Sequence, residues 1–220
     1  MTASKLQELL VAERDWRLSE LEFCKKIPFV YVHPTFRPHR DQFWRLCVPI
    51  IYAHWEGFVT SSLKTTIDYI NELELPYASI PRHLVLLEGK KRFGYLQGNC
   101  TKEQQNRFLD EFFAVQNTYL SIDRGNISAN SNLNFKQLEI MLEYLNISIS
   151  PTLQAYKPQI ERLVWFRNSI AHGENCITVK QKDIEQFIQF ESICFDEIIR
   201  LLLDYITCLP SQRTDEQAHV

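Results

Sequence analysis

Glycine is scarce in this chain of 220 residues, with only six. Phosphate-cradling turns depend on glycine for close backbone approach, and neither G-x-G-x-x-G nor G-x-x-x-x-G-K-[ST] occurs. That argues against a Rossmann or P-loop nucleotide site. Long apolar runs are missing as well, and no stretch reaches the length of a membrane span. The opening residues MTASKLQELLVAERDW are charged and periodic, without the apolar core of a signal peptide. The six cysteines (Cys24, Cys47, Cys100, Cys176, Cys194, Cys208) form no C-x-x-C pair. No cluster of Asp, Glu or His has metal-ligand spacing. Reduced thiols in a cytoplasmic protein, with no metal and no cofactor, are therefore expected. The N-x-[ST] sequons at Asn99, Asn126 and Asn146 would carry no sugar there. A net charge of −3 excludes a broad basic coat, so any phosphate site must be a local patch.

What the chain does have is helical periodicity. Ser4 and Gln7 fit a capping box, and Leu6, Leu9, Leu10 and Trp16 continue an amphipathic helix towards Phe23. PFVYVHPTFRPHR reads as a proline-broken extended connector. A long helix is expected from about Arg40 to Leu75, kinked at Pro49 because proline removes a backbone donor. Residues 76–150 look irregular, an insertion or decorated connection between two long helical hairpins. They include a glycine-punctuated basic cluster, a Thr101–Gln104 capping box and the Asn-rich loop DRGNISANSNLN. Pro158 suits the first turn of a further helix, which Gly173 would stop. A strongly apolar final helix carries Ile184, Phe187, Ile188, Cys194, Ile198 and Leu202, and residues 210–220 form a flexible tail. The expected fold is all-α: an up-and-down bundle of two long hairpins in a single domain, 1–209.

The stretch ERLVWFRNSIAHGEN ends a core-forming helix in polar residues. Asn168 and His172 are four apart and share a face; Arg167 and His172 are five apart, about 140° around an ideal helix. Arginine presents a forked cation that matches phosphate oxygens. Histidine moves protons near neutral pH, and asparagine can orient it or donate to an oxyanion. Spacing alone fits two readings. These groups form a phosphate-handling site, or Arg167 and His172 merely complement the helix dipole and cap its end.

Arg167-Asn168-x-x-x-His172-Gly173 closely resembles the R-x(4–6)-H signature of the HEPN superfamily, whose pattern includes the polar residue after the arginine. A second stretch, PIIYAHWEGFV (Pro49 to Val59), resembles the central helix of the MAE-type HEPN-like nucleases. The resemblance covers roughly residues 1–75 and 150–209. It implies a helical bundle that dimerises, bringing Arg167 and His172 of two chains into one cleft. It also implies a metal-independent endoribonuclease of toxin or antiviral-defence type, held in check by a cognate antitoxin. Catalysis would fall to Arg167, His172 and Asn168. Tyr52, His54 and Glu56 would sit beneath them, positioning motif residues, with Trp55 in the core. The basic cluster Arg82, Lys90, Lys91 and Arg92 would contact RNA, with Phe93 and Tyr95 available to stack on bases. Arg37, His39, Arg40 and Arg45 form a weaker basic stretch. Two other readings share the fold: a non-catalytic RNA-binding or dimerisation module of a defence or toxin–antitoxin complex, and a nucleotide-binding partner of a nucleotidyltransferase.

Overall fold

A computed structural model describes residues 1–30, 37–92, 99–115, 118–175 and 177–209. The chain is all-α. Helix α1 (Ala3–Val30) pairs with α2 (Arg37–Glu72), which runs without a break through Pro49. Helices α3 (Arg82–Arg92), α4 (Lys102–Val115), α5 (Phe135–Glu143) and α6 (Pro151–Ala155) follow. The second long hairpin is α7 (Lys157–Ala171) with α8 (Gln181–Thr207). Among the described residues no strand forms, and the only extended pairing is a bridge between Pro76 and Tyr119.

Helix α2 is the hub, packing against α1, α7 and α8. Trp55 and Phe58 leave it towards α8 and are fully buried there. Phe58 stacks on Phe195 with ring centroids 4.0 Å apart, and Trp55 lies parallel to the same ring at 6.3 Å. Each such side chain contributes about 1.5–3 kcal/mol by leaving water. Cys24, Cys47 and Cys194 fill gaps between α1, α2 and α8 as buried free thiols.

The helix ends follow local chemistry, with some shifts from the sequence reading. Helix α1 is capped by Thr2, whose Oγ1 accepts from the Lys5 N–H at 3.1 Å, so the Ser4–Gln7 pattern lies inside the helix. The Thr101–Gln104 capping box forms in both directions, at 2.8 and 3.3 Å, and opens α4. Pro158 lies in the first turn of α7. The 76–150 stretch holds more helix than its glycines suggest. In α3, Leu84 and Leu87 are three apart and both buried, and apolar burial outweighs the propensity cost of Gly89. The extended connector expected from residue 28 is shorter, because α1 continues to Val30; residues 31–36 lie outside those described.

Between α4 and α5 the chain has little regular structure, and asparagines replace backbone partners. Asn71 of α2 pairs with Ile122 in strand-like fashion: its Oδ1 accepts from the Ile122 N–H at 2.8 Å and its Nδ2 donates to the Ile122 carbonyl at 3.0 Å. Buried Asn126 donates to the Leu87 carbonyl at 2.7 Å. Asn134 caps α5 by accepting from Gln137 N–H at 2.8 Å. These bonds carry the chain back across α2 and deliver residues 128–134 to the C-terminal half of α7.

Candidate active site

The end of α7 is a Schellman turn. The Gly173 N–H donates to the Ile170 carbonyl at 3.1 Å and the Glu174 N–H to the Ser169 carbonyl at 2.9 Å. Gly173 supplies the required left-handed backbone at φ +74°. His172 is the C-cap residue and its imidazole is exposed. Arg45 of α2 braces the following segment, donating from Nη1 to the Ile177 carbonyl at 3.1 Å and from Nη2 to the Glu174 carbonyl. This arginine, one of the weaker basic stretch, therefore serves the turn beside His172 and is committed to backbone oxygens.

Arg167 leaves the opposite flank of α7 and is half-buried against α2. Its guanidinium lies over the Tyr52 ring, with Cζ 3.8 Å from the ring centroid. That stacking holds a delocalised cation on the negative face of an aromatic ring. Nη1 donates to Asn168 Oδ1 at 2.7 Å and Nη2 to the Ser131 carbonyl at 2.5 Å. Asn168 thus spends its carbonyl oxygen on Arg167, which fixes its amide and leaves the NH2 as a donor. Trp165, Asn168 and His172, at spacings of three and four, share the outward stripe of the helix.

Beneath Arg167 the Tyr52 hydroxyl donates to Glu56 Oε2, one helical turn along α2. The Tyr52 hydroxyl oxygen in turn accepts from the Leu133 N–H at 2.8 Å. Trp55 Nε1 donates to the Leu133 carbonyl at 3.0 Å, so one loop residue is held by both its backbone groups. Burial first, and the Glu56 carboxylate second, push the Tyr52 phenol up to about 12. Tyr52 is accordingly a protonated donor throughout the neutral range. Glu161 of α7 adds a further tie, accepting from the Phe135 N–H at 3.0 Å.

The structure brings Arg167, Asn168, Tyr52 and Glu56 into one network and places His172 beyond Asn168 on the same helix. His54 points elsewhere. Two residues from Tyr52 and two from Glu56, it faces α1, where it is buried with Nε2 3.2 Å from Glu20 Oε2 and its ring edge-on to Trp16. Burial, then the nearby Arg17 cation, lowers its pKa against the pull of Glu20. Gly57 belongs to that side too: a Cβ there would lie 2.6 Å from Arg17 Nη1. Arg82 is exposed at the start of α3, which packs on the 124–126 turn. Lys90, Lys91 and Arg92 lie in the last turn of α3, but their side chains, like Phe93 and Tyr95, fall outside the described residues.

Sequence reasoning recognised DRGNISANSNLN as a loop but missed that its 128–134 part meets Arg167 and Tyr52. Asn130 and Ser131 are consecutive non-glycine residues in the left-handed region, at φ 52° and 56°. The NSN run was the one local signal for this, since asparagine tolerates that conformation best.

A helical bundle whose second long hairpin carries Arg-Asn-x-x-x-His at the helix end defines a HEPN domain. The chain belongs to the RiboL-PSP-HEPN family, whose model matches residues 12–204. This is the superfamily that the two sequence motifs pointed to; the MAE-type branch stays a resemblance. No curated protein and no solved structure matches the chain. HEPN membership suggests a nuclease or RNA-related function, and such domains often bind RNA and dimerise. Among the described residues no helix is long and apolar enough to cross a membrane.

Proposed function

We propose that this protein is a metal-independent endoribonuclease of toxin or antiviral-defence type, acting as a homodimer in the cytoplasm. The observation that carries this reading is the preparation of Arg167. Stacking on Tyr52 and two hydrogen bonds fix the cation on the helix that ends in the exposed His172, at low reorganisation cost for charge that develops on a phosphate. His172 of one chain takes the proton from a ribose 2′-OH as that oxygen attacks the adjacent phosphorus. Arg167 neutralises the charge on the phosphorane oxygens, and Asn168 donates its amide to one of them. The P–O5′ bond breaks, and a protonated His172 from the second chain returns a proton to the leaving oxygen. The products are a 2′,3′-cyclic phosphate and a 5′-OH end, and DNA is inert for lack of the nucleophile.

A second reading is favoured by one observation: within a single chain Arg167 is turned towards α2 and the 128–134 loop, whereas His172 lies on the outward stripe. A lone protomer with that divergence is a non-catalytic RNA-binding or dimerisation module, partnered by an antitoxin or a larger defence complex.

Labelled single-stranded RNA and total tRNA, incubated with the full chain in EDTA beside His172→Ala, separate the two. Cleavage by the parent alone, leaving cyclic phosphate ends, is the expected result. RNA bound but never cut, by a chain that sedimentation shows to be dimeric, would instead select the module.

A further inference from the structure

The 128–134 loop is held far more firmly than an exposed connector needs to be. Two adjacent left-handed residues, one of them a serine, cost free energy and persist only where surrounding contacts over-determine the backbone. Arg167 binds the Ser131 carbonyl, Tyr52 and Trp55 bind both backbone groups of Leu133, and Ser128 Oγ accepts from the Asn130 N–H at 3.1 Å. The side chains so displayed, Ser131 and Asn132, are exposed, and the first is attached to the very carbonyl that Arg167 grips. A strained, polar, rigid loop hydrogen-bonded to the phosphate-binding arginine has the placement of a reading element.

We infer that residues 130–132 form a lip that reads an unpaired RNA base next to the phosphate held by Arg167, with Asn132 contacting the base edge and Tyr52 acting as the positioning residue. This rests on the proposed RNA-cleaving reading and adds a source of sequence preference to it. An asparagine amide offers a donor beside an acceptor, which matches the N6 and N7 of adenine. Unpaired bases expose such edges in single-stranded RNA, whereas an A-form duplex hides its major-groove edge. Tyr52 does two separable things: its ring supports the arginine and its hydroxyl anchors the loop. Tyr52, Trp55 and Glu56 of the second sequence motif thus find a task in assembling the lip.

The test measures binding of labelled oligo(A), oligo(C) and oligo(U) to full-length His172→Ala by fluorescence anisotropy, at several salt concentrations. Alongside it, the cleavage positions left by the parent on a random single-stranded RNA are sequenced. The expected result is a preference for adenine next to the cut and for oligo(A) in binding. Adding Asn132→Ala reduces that preference about tenfold, the effect of losing one base contact. Tyr52→Phe, which keeps the ring but removes the anchor on the Leu133 N–H, reduces it too. Arg167→Ala weakens all three oligomers and flattens the salt dependence, as loss of a phosphate contact does, and it also lowers the adenine preference because the Ser131 carbonyl loses its anchor. Ser131→Ala serves as a second variant should Asn132→Ala melt early. Unchanged selectivity in Asn132→Ala and Tyr52→Phe, with RNA still bound or cut, would overturn the lip alone. A chain that neither binds nor cuts any of these RNAs overturns the lip and the ribonuclease reading together.

Discussion

Helix α2 presents two polar flanks that obey opposite rules. Towards α7, the polar atoms of Tyr52 and Trp55 are partnered, and the network ends at solvent through Arg167. Towards α1 and α8, polar groups are buried without full satisfaction. His54 Nδ1 lacks a hydrogen-bond partner among the described residues, and so do both carboxylate oxygens of Glu191, which is completely buried. Burial first, then the neighbouring Cys24, pushes the Glu191 carboxyl well above its ordinary range, against the pull of Arg17. The difference teaches that a polar residue near a motif is not thereby part of the site. A satisfied network can fix a cation in a reactive position. An unsatisfied one chiefly makes stability depend on pH.

The comparison breaks most sharply at His172. His172→Ala is expected to lower RNA cleavage by about 10²–10⁴, the usual contribution of a general acid or base, and to spare the fold, because its imidazole is exposed and has no hydrogen-bond partner among the described residues. The melting temperature stays within a degree or so, and a large drop instead would make His172 structural. Tyr52→Leu should come next, reducing both cleavage and stability. It strips the support from Arg167 and leaves the Leu133 N–H unpaired, at a cost of about 1–3 kcal/mol in denaturant unfolding. Full stability together with full activity would show that the network is incidental.

On the other flank the sign reverses. Glu191→Gln should stabilise the protein at neutral pH and raise its Tm, because the amide carries no charge to be kept out of the buried site. The folded-state pKa of Glu191 lies above its unfolded value. Between the two the folded chain holds the extra proton, and stability falls as pH rises above about 4.5. The gain from Glu191→Gln should vanish near pH 4 and grow upwards, so thermal melts across pH read it directly. His54 has the opposite dependence. Its folded pKa is lowered, so the unfolded state takes the proton first and stability drops as pH falls below about 6.5. His54→Phe should flatten that part of the profile without touching cleavage. Gly173→Ala is the smallest change, about 1 kcal/mol, because an L side chain resists φ +74°.

Much of this could be read locally. The glycine stop after α7, the proline in its first turn, the Thr101–Gln104 box and the apolar stripe of α8 all depend on residues within one or two turns. The superfamily was legible for the same reason, since Arg167, Asn168, His172 and Gly173 lie together in the chain. The short helix α6 and the helical part of residues 82–92 were not, because too few residues showed a period above the noise of glycine and charge. His54 could not be sorted from Tyr52 and Glu56 by adjacency in a motif, though the helical period does place it on another flank.

The sequence by itself determined the all-α class, the two long hairpins, the end of α7 and the residue types gathered there, since helix periodicity and capping are short-range effects. Only the tertiary structure decided what those residues touch. The bond from Arg167 to Ser131 spans 36 positions and that from Leu133 to Tyr52 spans 81. Contacts at such separations form only when the packing of α2 against α7 brings the loop between them, and no local pattern of residues encodes that meeting.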